Sequence, residues 1–380
     1  MNAKILMLLS NAFDPDPRVH QEAVSLAQNG YDVQLLCWDR EGKAVPSETV
    51  DGMKVERIVV RSTHGRGSGQ IPFLLAFWLK AFARARSRSF DIVHCHDFDT
   101  LPLGYALSAL KRKKLVYDAH ESYVDMLENI PAPLKTAILH SENFFLKRTH
   151  LLITVGEVLR QSLAERGAPN TCVVGNWKDP ARFRFAPELL SREKSRLRIE
   201  NGNLVVSFIA NLGPERQIPQ LIDAASKTPG CVLVIGGDGP CGAMAEDAAR
   251  KHPNIRYLGR VNPSRVPLYT ALSDVVFYGF DPGNTNARFS APNKLFEALA
   301  SGKAVITGNF GEIGRIVREE RCGIVLRDYT VDEIRNALLT LQSGALGESK
   351  RRSMEAGAAR YSWSKANETL LTQYRNLGDL

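Results

Sequence analysis

Short apolar runs alternate with longer amphipathic segments along this chain, and the alternation stops once and then restarts. Residues 4–9, 32–37, 55–60, 91–95, 114–117, 151–155 and 171–174 read as strands, with helical patterns such as 19–29 and 134–148 between them. Strands covered by helices on both faces are buried twice over, so they appear as continuous apolar runs. Strand–helix–strand alternation is the rhythm of an open parallel sheet. Between 178 and 203 the rhythm pauses at Pro180, Pro187 and the mixed-charge run SREKSRLRIENGN. It resumes at 204–209, 232–235, 255–258, 275–278, 304–307 and 323–326. A length of 380 residues suits two such domains. The predicted fold is α/β, with two facing Rossmann-like, doubly wound domains: residues 1–180, rejoined by a C-terminal helix within 361–380, and residues 181–360. Facing domains of this kind would bring the carboxyl ends of both sheets to an interdomain cleft, where such folds bind ligands.

Several classes of function are disfavoured. No run approaches the roughly 18 apolar residues that span a bilayer, and the first residues read as a strand entering a loop, not as a signal peptide. The six cysteines (37, 95, 172, 231, 241, 322) form no CxxC pair, and four lie in strand-like runs. A disulfide framework or zinc site is therefore not expected, and a reducing cytoplasm is the expected compartment. No GxGxxG follows the first strand, which argues against a dinucleotide dehydrogenase; Gly236-Gly237-Asp238-Gly239 lacks that spacing. Nucleic acid is not an expected partner: Phe73, Phe77, Trp78 and Phe82 recur at helical spacing, as buried positions do.

The sharpest chemical signal is Ser290-Ala291-Pro292-Asn293-Lys294-Leu295-Phe296-Glu297, continuing through Gly302 to Ala304-Val305-Ile306. Pro292 is suited to the first turn of a helix. Lys294 then lies near the N-terminus, where backbone donors and the helix dipole favour an anion. Glu297 follows on nearly the same face. A phosphate-binding cation beside a carboxylate that can accept two vicinal hydroxyls suits a nucleoside diphosphate with its ribose. The plainer reading is a solvated Lys–Glu pair on an amphipathic helix.

PNKLFEALASGKAVI resembles the signature of retaining glycosyltransferases of family 4, the group 1 enzymes of GT-B fold. DPRVHQEAVSLAQNGYDV, DIVHCHDFDTLPLG, VYDAHE, the Asn176 turn, IANLGPERQI, VIGGDGP, IRYLGRV and YSW agree with that family in order and spacing, over nearly the whole chain. The resemblance implies a sugar transferred from a nucleoside diphosphate sugar, with UDP the expected base, to a hydroxyl acceptor that is lipid-linked or small. The nucleotide sugar is a substrate, so no cofactor is implied.

Carried over residue by residue, the resemblance gives Glu297 to the ribose. The family's preceding Glu falls at Phe289, which leaves the donor sugar open. A family Arg and Lys that hold the diphosphate correspond to Asn211 and Arg216, so one cation is lost and the other changed in kind. Donor-side candidates are thus Asn211, Arg216, Gly237, Arg260, Val261, Ser290, Pro292, Asn293, Lys294, Leu295 and Glu297. His120 of VYDAHE corresponds to the strand-end histidine near the donor sugar, making His120, Arg216 and Lys294 the catalytic candidates. On the acceptor side stand Arg18, His96, Asp97 and Glu121. His94 and His96 flank Cys95 on a strand, and only one of the two, His96, is expected to face the site. Arg18 either meets a ligand or opens the next helix at the surface. Asp14-Pro15-Asp16 and Asp97-Phe98-Asp99 match the DxD metal motif of a different fold, and no metal site is expected.

Two other readings are compatible with this fold: a nucleotide-sugar 2-epimerase, and a non-catalytic partner subunit. One feature is independent of the resemblance. Residues 54–114 hold twelve Lys/Arg against four acids, which accounts for the whole formal net charge of +8. The window includes an apolar helix pattern ending in Arg84, Arg86 and Arg88. Either that segment lies on an anionic membrane, at the inner face of the cell membrane, or its apolar face packs on the first sheet and leaves a solvated basic rim.

Overall fold

A computed structural model describes residues 3–14, 16–63, 67–127 and 130–378. The chain divides into two compact units, residues 1–175 with 366–380, and residues 176–365. Both are parallel α/β sheets clothed by helices.

The first unit carries eight strands: β1 (Lys4–Leu9), β2 (Asp32–Asp39), β3 (Ser47–Val50), β4 (Met53–Val59), β5 (Ile92–His96), β6 (Lys114–Ala119), β7 (Leu151–Thr154) and β8 (Thr171–Val173). Their order across the sheet is β3-β4-β2-β1-β5-β6-β7-β8, all parallel except β3 against β4. The central β5 is buried at every position, as a strand covered on both faces must be. Strand β3 is absent from the expected set because its Ser-Glu-Thr-Val sequence has no apolar run and is largely exposed. The turn into β4 is Asp51-Gly52, both left-handed (φ 46° and 83°), the chemistry of a tight hairpin. That dipeptide was the available signal.

The order reverses between β1 and β5, so the loops after these strands diverge and leave a crevice at their carboxyl ends. The helix Trp363–Gly378 belongs to this unit from Ala366 onward. Its Tyr374 is buried edge-on to Tyr31, and the Tyr374 hydroxyl lies 2.6 Å from His94 Nδ1.

The second unit has six parallel strands: β9 (Leu204–Ile209), β10 (Cys231–Gly236), β11 (Ile255–Tyr257), β12 (Val275–Tyr278), β13 (Ala304–Gly308) and β14 (Gly323–Leu326). Their order is β11-β10-β9-β12-β13-β14, with the reversal between β9 and β12. One face of its core gathers Phe208, Leu221, Leu233, Phe277 and Leu338, the other Val205, Val234 and Leu272. The PNKLFE segment forms the helix Asn293–Ala300. Pro292 caps this helix from outside (ψ 139°) and does not occupy its first turn, because its own backbone is extended. After Ser301, Gly302 turns left-handed (φ 62°) and donates to Leu299, while Lys303 donates to Ala298. This closing pattern satisfies the last carbonyls and favours glycine.

The basic segment becomes the helix Ile71–Ala85. Phe77, Ala81 and Ala85 are buried, with Phe77 stacked on Trp38 at 5.4 Å. Ile71, Leu75 and Leu79 form a separate exposed stripe at four-residue spacing. Arg84 and Arg88 both pair with Glu56, so two of the three arginines grouped at the end of this pattern are committed. Arg66 of the window and Pro15 of the first DxD string lie outside the described residues.

Candidate active site

In the first unit, sheet register and strand period together build a charged cluster. His96 on β5 is the register neighbour of Asp118 on β6. Asp118 and His120 are two residues apart at the end of β6, and residues two apart share a face. Asp118 is fully buried, and its Oδ2 lies 3.1 Å from His96 Nδ1 and 2.8 Å from His120 Nε2. Arg18 donates to both its oxygens, Nε to Oδ2 at 3.1 Å and Nη2 to Oδ1 at 2.6 Å. Arg18 is not a surface residue opening its helix: its side chain is only 10% exposed, and it also donates to the Val174 carbonyl at 2.6 Å and meets Glu22 Oε1 at 3.0 Å. Its helix, Pro17–Gln28, is started by Asp16, whose carboxylate accepts the Val19 N–H at 3.1 Å.

His94 and His96 do not take opposite faces. Their rings stack at 4.2 Å, because residues i and i+2 of a strand point the same way. Asp97 follows in a left-handed conformation (φ 62°). That turn presents Asp97 Oδ1 to the His120 N–H at 3.1 Å and Oδ2 to His120 Nδ1 at 3.4 Å. A non-glycine residue in this region carries backbone strain that surrounding structure must hold in place. Glu121 follows His120 and is half-buried.

The electrostatics follow from this geometry. Burial opposes charge on His120, yet Asp97 and Asp118 on either side overcome it and raise the imidazole to about 9. Burial likewise opposes ionisation of Asp118, and Arg18 and His120 nevertheless hold its carboxyl well below the usual range. Burial pushes Glu22 up to about 8, and drives His94 and, less strongly, His96 down so that both are neutral at pH 7. Glu22, His94, His96 and Asp118 have ligating atoms within 4.8 Å of one another. The Arg18 guanidinium already lies against both carboxylates, where a bound cation would supply its charge. Of the DxD strings, Asp16 is spent on its helix and Asp97 on His120.

In the second unit the donor-side candidates form two groups at the carboxyl ends of adjacent strands. After β9, Arg216 lies 4.0 Å over the Phe280 ring, donates Nη1 to the Tyr278 hydroxyl at 2.5 Å, and approaches Glu215 at 3.2 Å. The Tyr329 hydroxyl accepts the N–H groups of Gly308 and Phe280, at 2.7 and 3.3 Å, which fixes the Phe280 loop. A Cβ at Gly279 would come within 2.6 Å of the Arg216 carbonyl, so glycine permits this approach of the two loops. Asn211 is exposed just after β9. Gly237 (φ 138°) turns back against Ala210, whose carbonyl would lie 1.8 Å from any Cβ there.

The second group is the helix Asn293–Ala300. Lys294 Nζ is 2.7 Å from Glu297 Oε2, with the side chains only 16% and 14% exposed. A solvated surface pair is therefore not what the fold makes: the pair is sheltered. Ahead of the helix, Asn176 donates to the Ala291 carbonyl at 3.2 Å and Lys178 to Asn293 Oδ1 at 2.6 Å. Leu295 is buried, and Ser290 donates its N–H to Asn286. Phe289 ends the short turn Thr285–Arg288, half-buried. Arg260, 87% exposed and 3.7 Å from Asp238, is held only loosely; Val261 beside it is half-buried. Sequence reasoning missed Asp118 as the hub, together with Glu22, Tyr278, Phe280 and Tyr374. A carboxylate two residues before His120 on an otherwise apolar strand was the usable signal for Asp118.

Two family profiles cover most of the chain. Residues 15–177 match one described as "Glycosyl transferase 4-like domain", and residues 191–360 one described as "Glycosyl transferases group 1". The chain belongs to the group 1 glycosyltransferases. Among relatives of this glycosyltransferase, alpha-monoglucosyldiacylglycerol synthase of Acholeplasma laidlawii is 26% identical over 66% of this chain and 67% of its own length. D-inositol 3-phosphate glycosyltransferase of Mycolicibacterium paratuberculosis is 23% identical over 94% of this chain and 84% of its own. Among solved structures, sucrose-phosphate synthase of Thermosynechococcus elongatus superposes with a TM-score of 0.81 at 14% identity, covering 99% of each chain. Anabaena HepE in complex with UDP superposes at 0.73 and 17% identity, covering 98% of this chain and all of its own. These likenesses establish the GT-B fold. No helix among the described residues is long and apolar enough to cross a membrane.

Proposed function

We propose that this glycosyltransferase moves a sugar from a nucleoside diphosphate sugar, with UDP as the base, to a hydroxyl acceptor with retention of configuration. The observation that carries this reading is the sheltered Lys294–Glu297 pair at the start of its helix. Lys294 meets the diphosphate, aided by the helix N-terminus, and Glu297 takes the ribose hydroxyls once Lys294 turns to phosphate. Arg216 supplies the second cation, held over Phe280 and bonded to the Tyr278 hydroxyl so that its fork is already oriented. His120 is assigned the stabilisation of negative charge as the sugar–phosphate bond breaks, since its neighbours keep it protonated. The acceptor belongs to the first unit. UDP as base is supported by the solved neighbour that holds UDP. A metal-free reaction is supported by side-chain cations at both places where charge must be balanced, Arg18 in the first unit and Arg216 with Lys294 in the second.

The stripe Ile71, Leu75 and Leu79, with Lys80 and Arg86 nearby, supports docking on an anionic membrane surface. A relative named for diacylglycerol glycosylation agrees with a lipid acceptor, and one named for inositol 3-phosphate with a small soluble one.

The deciding experiment titrates UDP-sugars by calorimetry and follows their turnover in the presence of EDTA with lipid and soluble acceptors. Binding that disappears in Glu297→Ala, with a product of unchanged anomeric configuration, supports the reading. Configuration change in the UDP-sugar without any acceptor would instead indicate an epimerase. Failure of every UDP-sugar to bind at millimolar concentration would overturn UDP as the base, and failure of every nucleoside diphosphate sugar would leave a non-catalytic partner.

A further inference from the structure

Next to the His120 network, among the described residues, four buried atoms lack a hydrogen bond: His94 Nε2, His96 Nε2 and both carboxylate oxygens of Glu22. Ligating atoms of these three side chains and of Asp118 lie within 4.8 Å of one another. A buried polar atom without a partner forfeits the hydrogen bond that water would have given it. Several of them in one small cluster ask for a shared occupant.

The atoms that are already partnered select the kind of occupant. His96 Nδ1 lies 3.1 Å from Asp118 Oδ2, and His94 Nδ1 lies 2.6 Å from the Tyr374 hydroxyl. An imidazole that gives its Nδ1–H to a carboxylate or a hydroxyl keeps a lone pair on Nε2. Metal-ligating histidines are held in this way, by a neighbour on the outer nitrogen. The two rings stack at 4.2 Å on one face of β5, and burial keeps both neutral at pH 7, the form that ligates. Glu22 is divided in the same sense: Oε1 meets Arg18 at 3.0 Å, while Oε2 lies 4.0 Å from His94 Nε2. Two zinc bonds of about 2.0–2.2 Å each cover that span. Arg18 balances the charge of the carboxylates but does not satisfy the imidazole lone pairs. Asp118 stays outside the ligand set, because Arg18, His96 and His120 take its two oxygens.

We propose that His94, His96 and Glu22 form a buried site for a divalent transition metal, zinc being the best match to two imidazoles and a carboxylate. The ion ties the helix Pro17–Gln28 to β5, and Tyr374 brings the C-terminal helix against one of its ligands. It takes the place of the proton that burial puts on Glu22. The site uses neither DxD string, takes no part in sugar transfer and does not rest on the glycosyltransferase reading.

The test produces the chain without a histidine tag, in zinc-supplemented and in zinc-depleted medium, and measures bound metal by mass spectrometry after gel filtration. Wild type from supplemented medium should retain about one zinc per chain and melt at a higher temperature than the depleted protein. Cobalt in its place should give visible d–d bands without the near-ultraviolet thiolate band; a thiolate band would assign the ion to the cysteines and overturn the proposal. Against a competing chelator, His94→Gln and Glu22→Gln should each lose zinc more readily by about a hundredfold, and Tyr374→Phe by about tenfold. His140→Gln, at an exposed histidine, should change nothing. Wild-type retention in either ligand variant overturns the proposal. So does wild type that holds no zinc and melts alike from both media, which would leave a buried water as the occupant. That last comparison needs no variant, so it decides even where a substituted chain fails to fold.

Discussion

The two sheets end in different kinds of electrostatics. At the edge of the eight-stranded sheet, Arg18, Asp118, His120 and Asp97 neutralise one another in a buried network, and each charge has a protein partner. At the edge of the six-stranded sheet, Arg216 rests on an aromatic ring and Lys294 shares one carboxylate, both partly open. A saturated network fixes geometry, because moving any member strands a buried charge. A cation on a ring, with one hydroxyl and one half-exposed carboxylate beside it, can exchange those partners for another anion. One edge holds a histidine in place; the other leaves its cations partly open, which is what the proposed diphosphate site requires.

That contrast can be broken by substitution. The largest effect should come from Asp118→Ala, which removes the buried carboxylate that Arg18 and His120 share and leaves them only Glu22 and Asp97; it should cost about 3–5 kcal/mol in urea denaturation. Equal stability of wild type and variant would mean the network is not what holds this edge. Lys294→Ala should do the reverse. Stability should fall less than in Asp118→Ala, since Lys294 and Glu297 each keep some exposure, while transfer falls about a hundredfold to a thousandfold. A loss of folding with Lys294 would make the pair a structural one. Arg216→Lys keeps the charge and loses the flat fork, and should weaken UDP binding by about 0.5–1 kcal/mol in calorimetry.

A pH series sharpens the comparison. His120 is raised in the folded state from 6.5 to about 9, so the stability it contributes is full below 6.5 and lost as the pH climbs to 9. Glu22, raised from 4.5 to about 8, loses its contribution in the same direction as the pH rises. Urea denaturation should therefore show falling stability from pH 6.5 to 9, with a shallower fall in His120→Gln; an unchanged slope in that variant would place the titration elsewhere. The smallest effect belongs to the exposed stripe. Arg86→Gln should weaken binding to anionic liposomes by about 1 kcal/mol, and Leu79→Glu should do so with less dependence on salt. Absence of any liposome binding by wild type would leave the stripe a solvent-exposed face.

Much of the fold was legible because burial writes itself locally. Runs 4–9, 204–209 and 275–278 coincide with observed strands, since a strand covered on both faces has no polar side to interrupt it. Strand β3 escaped that logic by lying at an exposed edge, where only its Asp-Gly turn spoke for it. The PNKLFE helix and the Lys294–Glu297 pair were legible too, because three residues along a helix is a local distance.

The histidine pair shows where local reasoning misfires: strand period places His94 and His96 on one face, and the stacked rings confirm it. Other relations had no local signature at all. Asp118 meets His96 through the register of β5 on β6, and Arg18 through the order of the sheet, 100 residues away in sequence. Tyr374 reaches His94 across 280 residues. Which residues are buried follows from the period of the chain, and the sequence by itself settled that. Which buried charge finds which partner depends on strand order and register, properties of the assembled sheet, and only the tertiary structure decided it.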